Sequence, residues 1–293
     1  MKLKNLSFSV DSFNYVFASR YEEIIFKLSL MLLVLDGGTG WNAHIALRIL
    51  CTLMLVFDRY AGNKLFWGLI VSTLLFSNSL QWYNIDNHKA LFMYWTFVLC
   101  SYLWLEKKEK FIRINAQLLV GLVMGFAVFQ KIINGFAEPG FLHGRFLFDG
   151  RFVMITHFLT GIPMEDIVMN KTHMSIVSML PLDGAYTQLT SNAFMKIFTY
   201  YFQVFGLFVE SIVAMLFLFA NKFKSHYKDY ALIAFCLGTY FIFPVIGFSS
   251  ILLLLGIAQV KSQEIFRYYI GAFILIQFIQ VPWQEIFFYF ENM

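Results

Sequence analysis

The chain has 293 residues, of which 59% are hydrophobic and only 14% are charged. A soluble domain has about 45–50% apolar and about 25% charged residues, so this composition argues against a water-soluble protein and favours one that lies in a lipid bilayer. The formal net charge is +4, and the basic residues form short clusters between apolar runs, which argues against nucleic acid as a partner. We therefore predict an all-α, polytopic membrane helix bundle.

Apolar segments recur along the whole chain, without a Pro-, Ser- or Gly-rich linker between them. A spanning helix needs roughly 20 apolar residues, and fewer in a polytopic chain, so we predict about nine spans in a single domain that covers residues 1–293. Pro244 and Gly247 interrupt residues 229–260, which are either two short spans or one kinked hairpin. The predicted spans are 22–36, 42–57, 65–81, 88–105, 114–133, 194–220, 229–245, 248–260 and 266–283.

The Lys and Arg residues are concentrated in alternate loops, and this bias predicts the orientation. Because cytoplasmic loops retain positive charge, we place the amino terminus in the cytoplasm. The long loop 134–193 is then extracytoplasmic, and its length suggests a functional element. Within it, the Phe-rich segment 135–153 is expected to be interfacial or re-entrant, as a roof over an outer pocket or as a lipid anchor. The inner segments contain Lys2, Lys4, Arg20, Arg59, Lys64, Lys107, Lys108, Lys110, Arg113, Lys222, Lys224, Lys228, Lys261 and Arg267.

Two titratable side chains, His88 and Lys131, are predicted at the outer ends of spans. His88 opens the fourth span, where Asp86 or Asn87 caps the helix, and its imidazole is either catalytic or an interfacial polar group. Lys131 closes the fifth span. In a low-dielectric pocket its neutral amine is a candidate general base, whereas the alternative is a snorkelling lysine whose charge reaches the lipid headgroups.

A carboxylate, Glu210, lies inside the sixth predicted span, where it has to be neutral, paired or directed at a cavity. We predict a structural ion pair with Arg48 of the second span, and a proton-relay or substrate role is the alternative. The histidines show no ligand spacing, so we predict no metal site. The cysteines, which all lie in apolar stretches, are expected to be buried thiols: Cys51, Cys100 and Cys236.

Several short motifs occur in an order that resembles a known family. Asn87-His88 heads a span, residues 125–132 at the end of the next span read GFAVFQKI, and residues 141–144 read FLHG. This order resembles the membrane domain of the vitamin K-dependent gamma-carboxylases and of their bacterial relatives, the horizontally transferred transmembrane (HTTM) domain proteins. Residues 247–250, GFSS, are similar to a later helix start of that family, and the resemblance covers about residues 40–260.

The resemblance implies roles for particular residues. Lys131 corresponds to the lysine that deprotonates a reduced, vitamin K-like quinone, and His88 corresponds to the histidine that assists carboxylation. The resemblance also implies a bacterial cytoplasmic membrane and an enzyme that modifies or matures an exported peptide. The chain departs from the family in having no histidine near Tyr240, and we expect no large extramembrane domain. The substrate-binding residues that we expect from it are Asn87, Phe141, His143 and Arg145.

Two other functions fit the same residues. In the first, the protein is a non-catalytic membrane scaffold or export partner, Lys131 only anchors a helix, and the Phe-rich loop binds another protein. In the second, the protein is a transporter with Glu210 and Arg48 in its pathway, although no pair of matching broken helices suggests inverted repeats.

Overall fold

The computed structural model describes residues 10–37, 41–80, 82, 87–106, 109–136, 138, 140–149, 152–177, 189–220, 225–242 and 245–279. Over these ranges the secondary structure is helical, which confirms the predicted all-α class. The α-helices are α1 (Val10–Asp36), α2 (Trp41–Val56), α3 (Lys64–Leu80), α4 (Asn87–Trp104), α5 (Glu109–Ile133), α6 (Phe141–Phe148), α7 (Val153–Thr160), α8 (Met164–Val177), α9 (Ala193–Leu218), α10 (Ser225–Ile242), α11 (Ile246–Gln259) and α12 (Gln263–Ile279).

Two of these helices, α5 and α9, are long and apolar enough to cross a membrane. Only 22% of the most apolar stretch of α5 and 28% of that of α9 is fully buried, so most residues of both stretches lie at least partly at the surface. Shorter apolar helices cover Ala43–Val56, Lys64–Leu80 and Gly247–Gln259. The described residues thus support a membrane association, whereas the prediction of about nine spans is not confirmed and stays a prediction.

The described residues cluster into two compact units, each assembled from separate stretches of chain. Unit 1 draws on Met1–Val120, Lys224–Ile233 and Ile246–Met293, and unit 2 draws on Gly121–Phe223 and Ala234–Val245. Helices α5 and α10 contribute residues to both units. The single domain over residues 1–293 therefore stays a prediction.

In unit 1, α1 packs against α2, α4 and α11, and α11 packs against α12. The ring of Phe26 meets that of Trp67 edge-on at 5.2 Å, and Nε1 of Trp95 donates to Oγ of Ser29 at 2.9 Å. Gly256 of α11 faces the buried Tyr269 ring so closely that a Cβ at this glycine would lie 2.2 Å from Cε1 of the ring. Glycine therefore sets the spacing between α11 and α12.

A buried polar network also belongs to unit 1. Nζ of Lys228 donates to Oε1 of Gln117 at 3.2 Å and to the side-chain oxygen of Gln259. The amide of Gln259 in turn donates to Asp229, which accepts a second hydrogen bond from the Tyr269 hydroxyl at 3.0 Å. Because each charged member has polar partners, the network offsets the cost of burying charge between helices.

Unit 2 contains three short helices, α6, α7 and α8, within the segment predicted as a long outer loop. Within the Phe-rich segment 135–153, residues 141–148 form α6, and the rings of Phe146 and Phe152 stack at 4.6 Å. Apolar burial explains this helicity, because the helices share one core with the start of α9. The buried members of that core are Leu142, Phe146, Leu147, Phe152, Ile162, Ile167 and Met195.

Candidate functional site: a Lys–Glu pair on two apolar helices

The end of α5 places an aromatic ring over Lys131. Gly135 has a positive φ of 66°, the N–H of Phe136 donates to the Lys131 carbonyl at 2.8 Å, and the N–H of Gly135 donates to the Ile132 carbonyl at 3.4 Å. This pattern is a Schellman motif, in which a left-handed glycine reverses the chain and satisfies the last helical carbonyls. As a result, Nζ of Lys131 lies 4.8 Å from the centre of the Phe136 ring, in cation–π contact.

Lys131 forms an ion pair with Glu210 of α9, and Nζ donates to Oε1 of the carboxylate. The Lys131 side chain is 30% exposed and that of Glu210 only 9%, so the carboxylate is the deeper partner. The sequence predicted Arg48 as the partner of Glu210, whereas the partner of Glu210 within unit 2 is Lys131. Nε of Arg48 instead donates to the Val34 carbonyl at 3.0 Å, and its side chain is exposed. Both residues were chosen for their depth in a span, and depth alone does not determine which helices are neighbours.

The second oxygen of Glu210 has a different environment. Oε2 is buried and accepts no hydrogen bond from the described residues. Tyr240 of α10 is also buried and lies within electrostatic reach of this carboxylate. A buried acceptor without a donor is unfavourable by about 1–3 kcal/mol, so Oε2 is the atom of this site that a ligand can stabilise most.

Glu210 is the last member of a buried polar stripe along α9, which also contains Thr199 and Gln203. The amide of Gln203 donates to the carbonyls of Phe136 and Glu138, the latter at 3.0 Å, and its Oε1 accepts from the N–H of Leu142 at 3.0 Å. Gln203 thereby satisfies the backbone of the α5–α6 connection. Sequence reasoning missed both Gln203 and Thr199. Their spacing to Glu210 in an otherwise apolar helix was the available signal, since residues about four and seven apart share one face.

The predicted substrate-binding residues Phe141, His143 and Arg145 all lie on α6 in unit 2. The Phe141 ring lies 5.1 Å from the Phe136 ring, which itself contacts Lys131. Arg145 is exposed. Substrate binding by these three residues stays a prediction.

His143 is half-buried and contacts two hydroxyl groups. Its Nε2 lies 3.1 Å from Oγ of Ser191, and its Nδ1 lies 3.5 Å from Oγ1 of Thr199. Burial lowers the pKa of the imidazole below its ordinary value, the nearby charge of Lys196 lowers it further, and a contact with the Met195 backbone opposes both effects. The neutral imidazole is therefore favoured at physiological pH.

His88 and its neighbour Asn87 open α4 and belong to unit 1, whereas Lys131 belongs to unit 2. Nε2 of His88 lies 3.2 Å from Oδ2 of Asp36, near enough for an ion pair but without hydrogen-bond alignment. Gly247 permits this approach, because a Cβ there would lie 1.7 Å from the same carboxylate oxygen and 2.8 Å from Cδ2 of His88. Each predicted catalytic residue thus has its own carboxylate partner, and their joint action stays a prediction.

Comparisons of the chain with protein-family models, curated proteins and solved structures give no match. The resemblance to the carboxylase-like membrane domain therefore rests on the motifs around His88, Lys131 and Phe141. The geometry defines a helical protein with a half-buried Lys–Glu pair at the end of an apolar helix.

Proposed function

We propose that this chain is a multi-span protein of a bacterial cytoplasmic membrane that binds a reduced, quinone-like ligand at the Lys131–Glu210 pair. In this proposal the protein removes a proton from the ligand and uses the deprotonated ligand to modify or mature an exported peptide. About nine spans cross the bilayer, the amino terminus is cytoplasmic, and the pair is reached from outside.

The exposed faces of α5 and α9 support the membrane part of the proposal. Large apolar side chains recur along both helices at spacings of three and four residues and are exposed, which is unfavourable in water and favourable in lipid. On α5 they are Leu122, Phe126, Phe129 and Ile133, and on α9 they are Ile197, Tyr201, Phe205, Phe208, Ile212 and Met215.

The observation that carries the ligand assignment is the unsatisfied, buried Oε2 of Glu210. A ligand that donates a hydroxyl hydrogen would satisfy it. The rings of Phe136 and Phe141 provide an aromatic surface beside Lys131, which suits a flat apolar ring. A reduced quinone has both the hydroxyl and the ring.

The Lys131–Glu210 pair also provides a route for a proton. In this proposal the amine of Lys131 is the general base, and Glu210, which accepts its hydrogen bond, is the neighbouring group to which the proton can pass. A bound quinol would supply the acidic hydroxyl hydrogen. The resemblance adds His88 as an assisting residue.

Purified protein in lipid nanodiscs tests the assignment. We expect mass spectrometry of extracted small molecules to identify a quinone, and we expect the protein to accelerate oxidation of a short-chain menaquinol in air. Lys131→Ala and Glu210→Gln should each lower the rate about 10²-fold or more, the scale of a lost general base. Lys171→Ala, which changes an exposed lysine of α8, should have no effect.

Absence of a quinone together with unchanged oxidation in Lys131→Ala would overturn the quinol assignment. If a second protein copurifies stably with the wild type and with both variants, Lys131→Ala and His88→Ala, the non-catalytic scaffold function is favoured instead. The orientation is tested separately in intact cells with a membrane-impermeant maleimide. Ser175→Cys on α8 should be labelled and Arg59→Cys should not, and the reverse pattern would refute the proposed orientation.

A further inference from the structure

Ser191 and His143 form a hydroxyl–imidazole pair that the Lys131–Glu210 site does not use. Oγ of Ser191 lies 3.1 Å from Nε2 of His143, and both side chains are half-buried rather than sealed in the core. Hydrogen-bond contact between a hydroxyl and an imidazole is the arrangement by which a base activates a serine nucleophile.

The surroundings of the imidazole determine which nitrogen carries the hydrogen. The Thr199 hydroxyl donates to the Met195 carbonyl at 2.7 Å, so its oxygen is left as an acceptor toward Nδ1 of His143 at 3.5 Å. With hydrogen on Nδ1, the lone pair of Nε2 faces the Ser191 hydroxyl. Thr199 is almost completely buried and holds this orientation as a positioning residue.

The start of α9 adds a site for developing negative charge. Ser191 directly precedes the N-cap Asn192, whose side chain accepts from the N–H of Met195 at 2.8 Å. The other N–H groups of the first turn have no intrahelical acceptor, and the helix N-terminus carries partial positive charge. Both features stabilise an oxyanion that forms on a carbonyl attacked by Ser191.

The exposed residues next to the pair indicate the kind of substrate. Phe194 and Ile197 follow Ser191 on α9, Phe141 precedes His143 on α6, and all three side chains are exposed. They offer apolar contacts to a hydrocarbon chain, while Lys196 offers a positive charge in the same turn. An ester with an apolar acyl group matches this surface.

We infer that Ser191 and His143 are the nucleophile and the general base of a site that hydrolyses apolar acyl esters. Oγ of Ser191 bonds to the ester carbonyl carbon while its hydrogen passes to Nε2 of His143. The carbon–oxygen bond of the ester breaks, and the leaving alcohol takes that hydrogen. Water then attacks the acyl-serine by the same route, releasing the carboxylic acid and restoring the serine hydroxyl.

The first experiment uses the full-length protein in nanodiscs, with p-nitrophenyl octanoate as the substrate and a fluorophosphonate as the probe. We expect labelling of Ser191, found by peptide mass spectrometry, and release of p-nitrophenol. Ser191→Ala should abolish labelling, and His143→Gln should slow both reactions about 10²-fold. Ser175→Ala is the matched control, because this serine also lies in unit 2 and its hydroxyl donates to the Thr172 carbonyl at 2.7 Å.

Thr199→Val separates positioning from a purely structural role. It should lower the turnover rate with little change in KM, because it loosens the imidazole without touching the ester. Folded wild-type protein that neither takes up the probe nor releases p-nitrophenol would overturn the assignment. Equal labelling of wild type and Ser191→Ala would overturn it as well.

A thiol in place of the hydroxyl provides a test that needs no ester. Ser191→Cys should react with iodoacetamide at pH 7 about tenfold faster than Ser175→Cys, because His143 promotes thiolate formation. Adding His143→Gln should remove the difference. Equal rates for the two cysteine variants would show that the imidazole does not activate position 191, and the wild-type protein supplies the background from its native thiols.

Discussion

The free energy that couples Lys131 to Glu210 can be measured with a double-mutant cycle. Glu210 is the deeper partner, with 9% side-chain exposure against 30% for Lys131, so the two single variants should differ. Lys131→Met leaves a buried carboxylate without its cation and should cost about 2–4 kcal/mol, close to the range for breaking a buried pair. Glu210→Leu leaves an ammonium that reaches water and should cost about 1–2 kcal/mol.

The variant that carries both substitutions replaces the pair with apolar side chains of similar size. Such replacements are often neutral, so we expect it to lie within about 1 kcal/mol of the wild type. The coupling energy should then be about 2 kcal/mol or more, near the upper part of the range for residues in contact. Unfolding in mixed micelles by titration with sodium dodecyl sulfate gives the four free energies. Single effects that add within about 0.5 kcal/mol would refute the ion pair as an energetic unit.

Further predictions concern three glycines and His143. Gly135→Ala should lower the free energy of unfolding by about 1–2 kcal/mol, because φ is 66° at this residue. Gly256→Ala should cost about 1–3 kcal/mol, since its Cβ would meet the Tyr269 ring at 2.2 Å. A Cβ at Gly271 would meet no atom within 4 Å, so Gly271→Ala should be neutral or stabilising by up to about 1 kcal/mol. Thermal denaturation of the three glycine variants measures these changes in stability. Equal effects at all three glycines would contradict the packing argument. Because the pKa of His143 is lowered in the folded protein, the unfolded chain takes up a proton first on acidification, so stability should fall as pH decreases below about 6.5. Chemical denaturation at pH 7 and pH 5 should show a smaller fall for His143→Gln than for the wild type, and an identical fall in both would contradict the assignment.

Composition and apolar periodicity were sufficient to predict the helical class, because both report which solvent the side chains prefer. They were also sufficient to locate Lys131 at the end of a helix, where it lies two residues before the last residue of α5. The sequence left open how residues 229–260 divide, and in the structure α10 ends at Ile242 and α11 begins at Ile246, so that Gly247 lies within α11 while Pro244 lies outside the described residues. Each of these features depends on local sequence.

Features that depend on which helices are neighbours were harder to predict. Glu210 was assigned to Arg48 because both lie far from the ends of their predicted spans, but Lys131 is the partner. The contact between His143 and Ser191 joins residues 48 positions apart, across the segment predicted as one long loop. Nothing local distinguishes such a pair from two unrelated polar residues.

The polar stripe of α9 links the proposed sites to the packing of unit 2. Thr199 orients His143, Gln203 satisfies the backbone between α5 and α6, and Glu210 pairs with Lys131. All three use one face of a single helix, so rotation of α9 by one residue, about 100°, would remove the three contacts together. If lipid surrounds the other faces of α9, this rotation is opposed, because it would move Gln203 and Glu210 into hydrocarbon, where a polar group without partners is costly. The membrane proposal and the site geometry therefore depend on the same helix, and a loss of Glu210–Lys131 coupling in detergent that returns in nanodiscs would be the expected sign of that dependence.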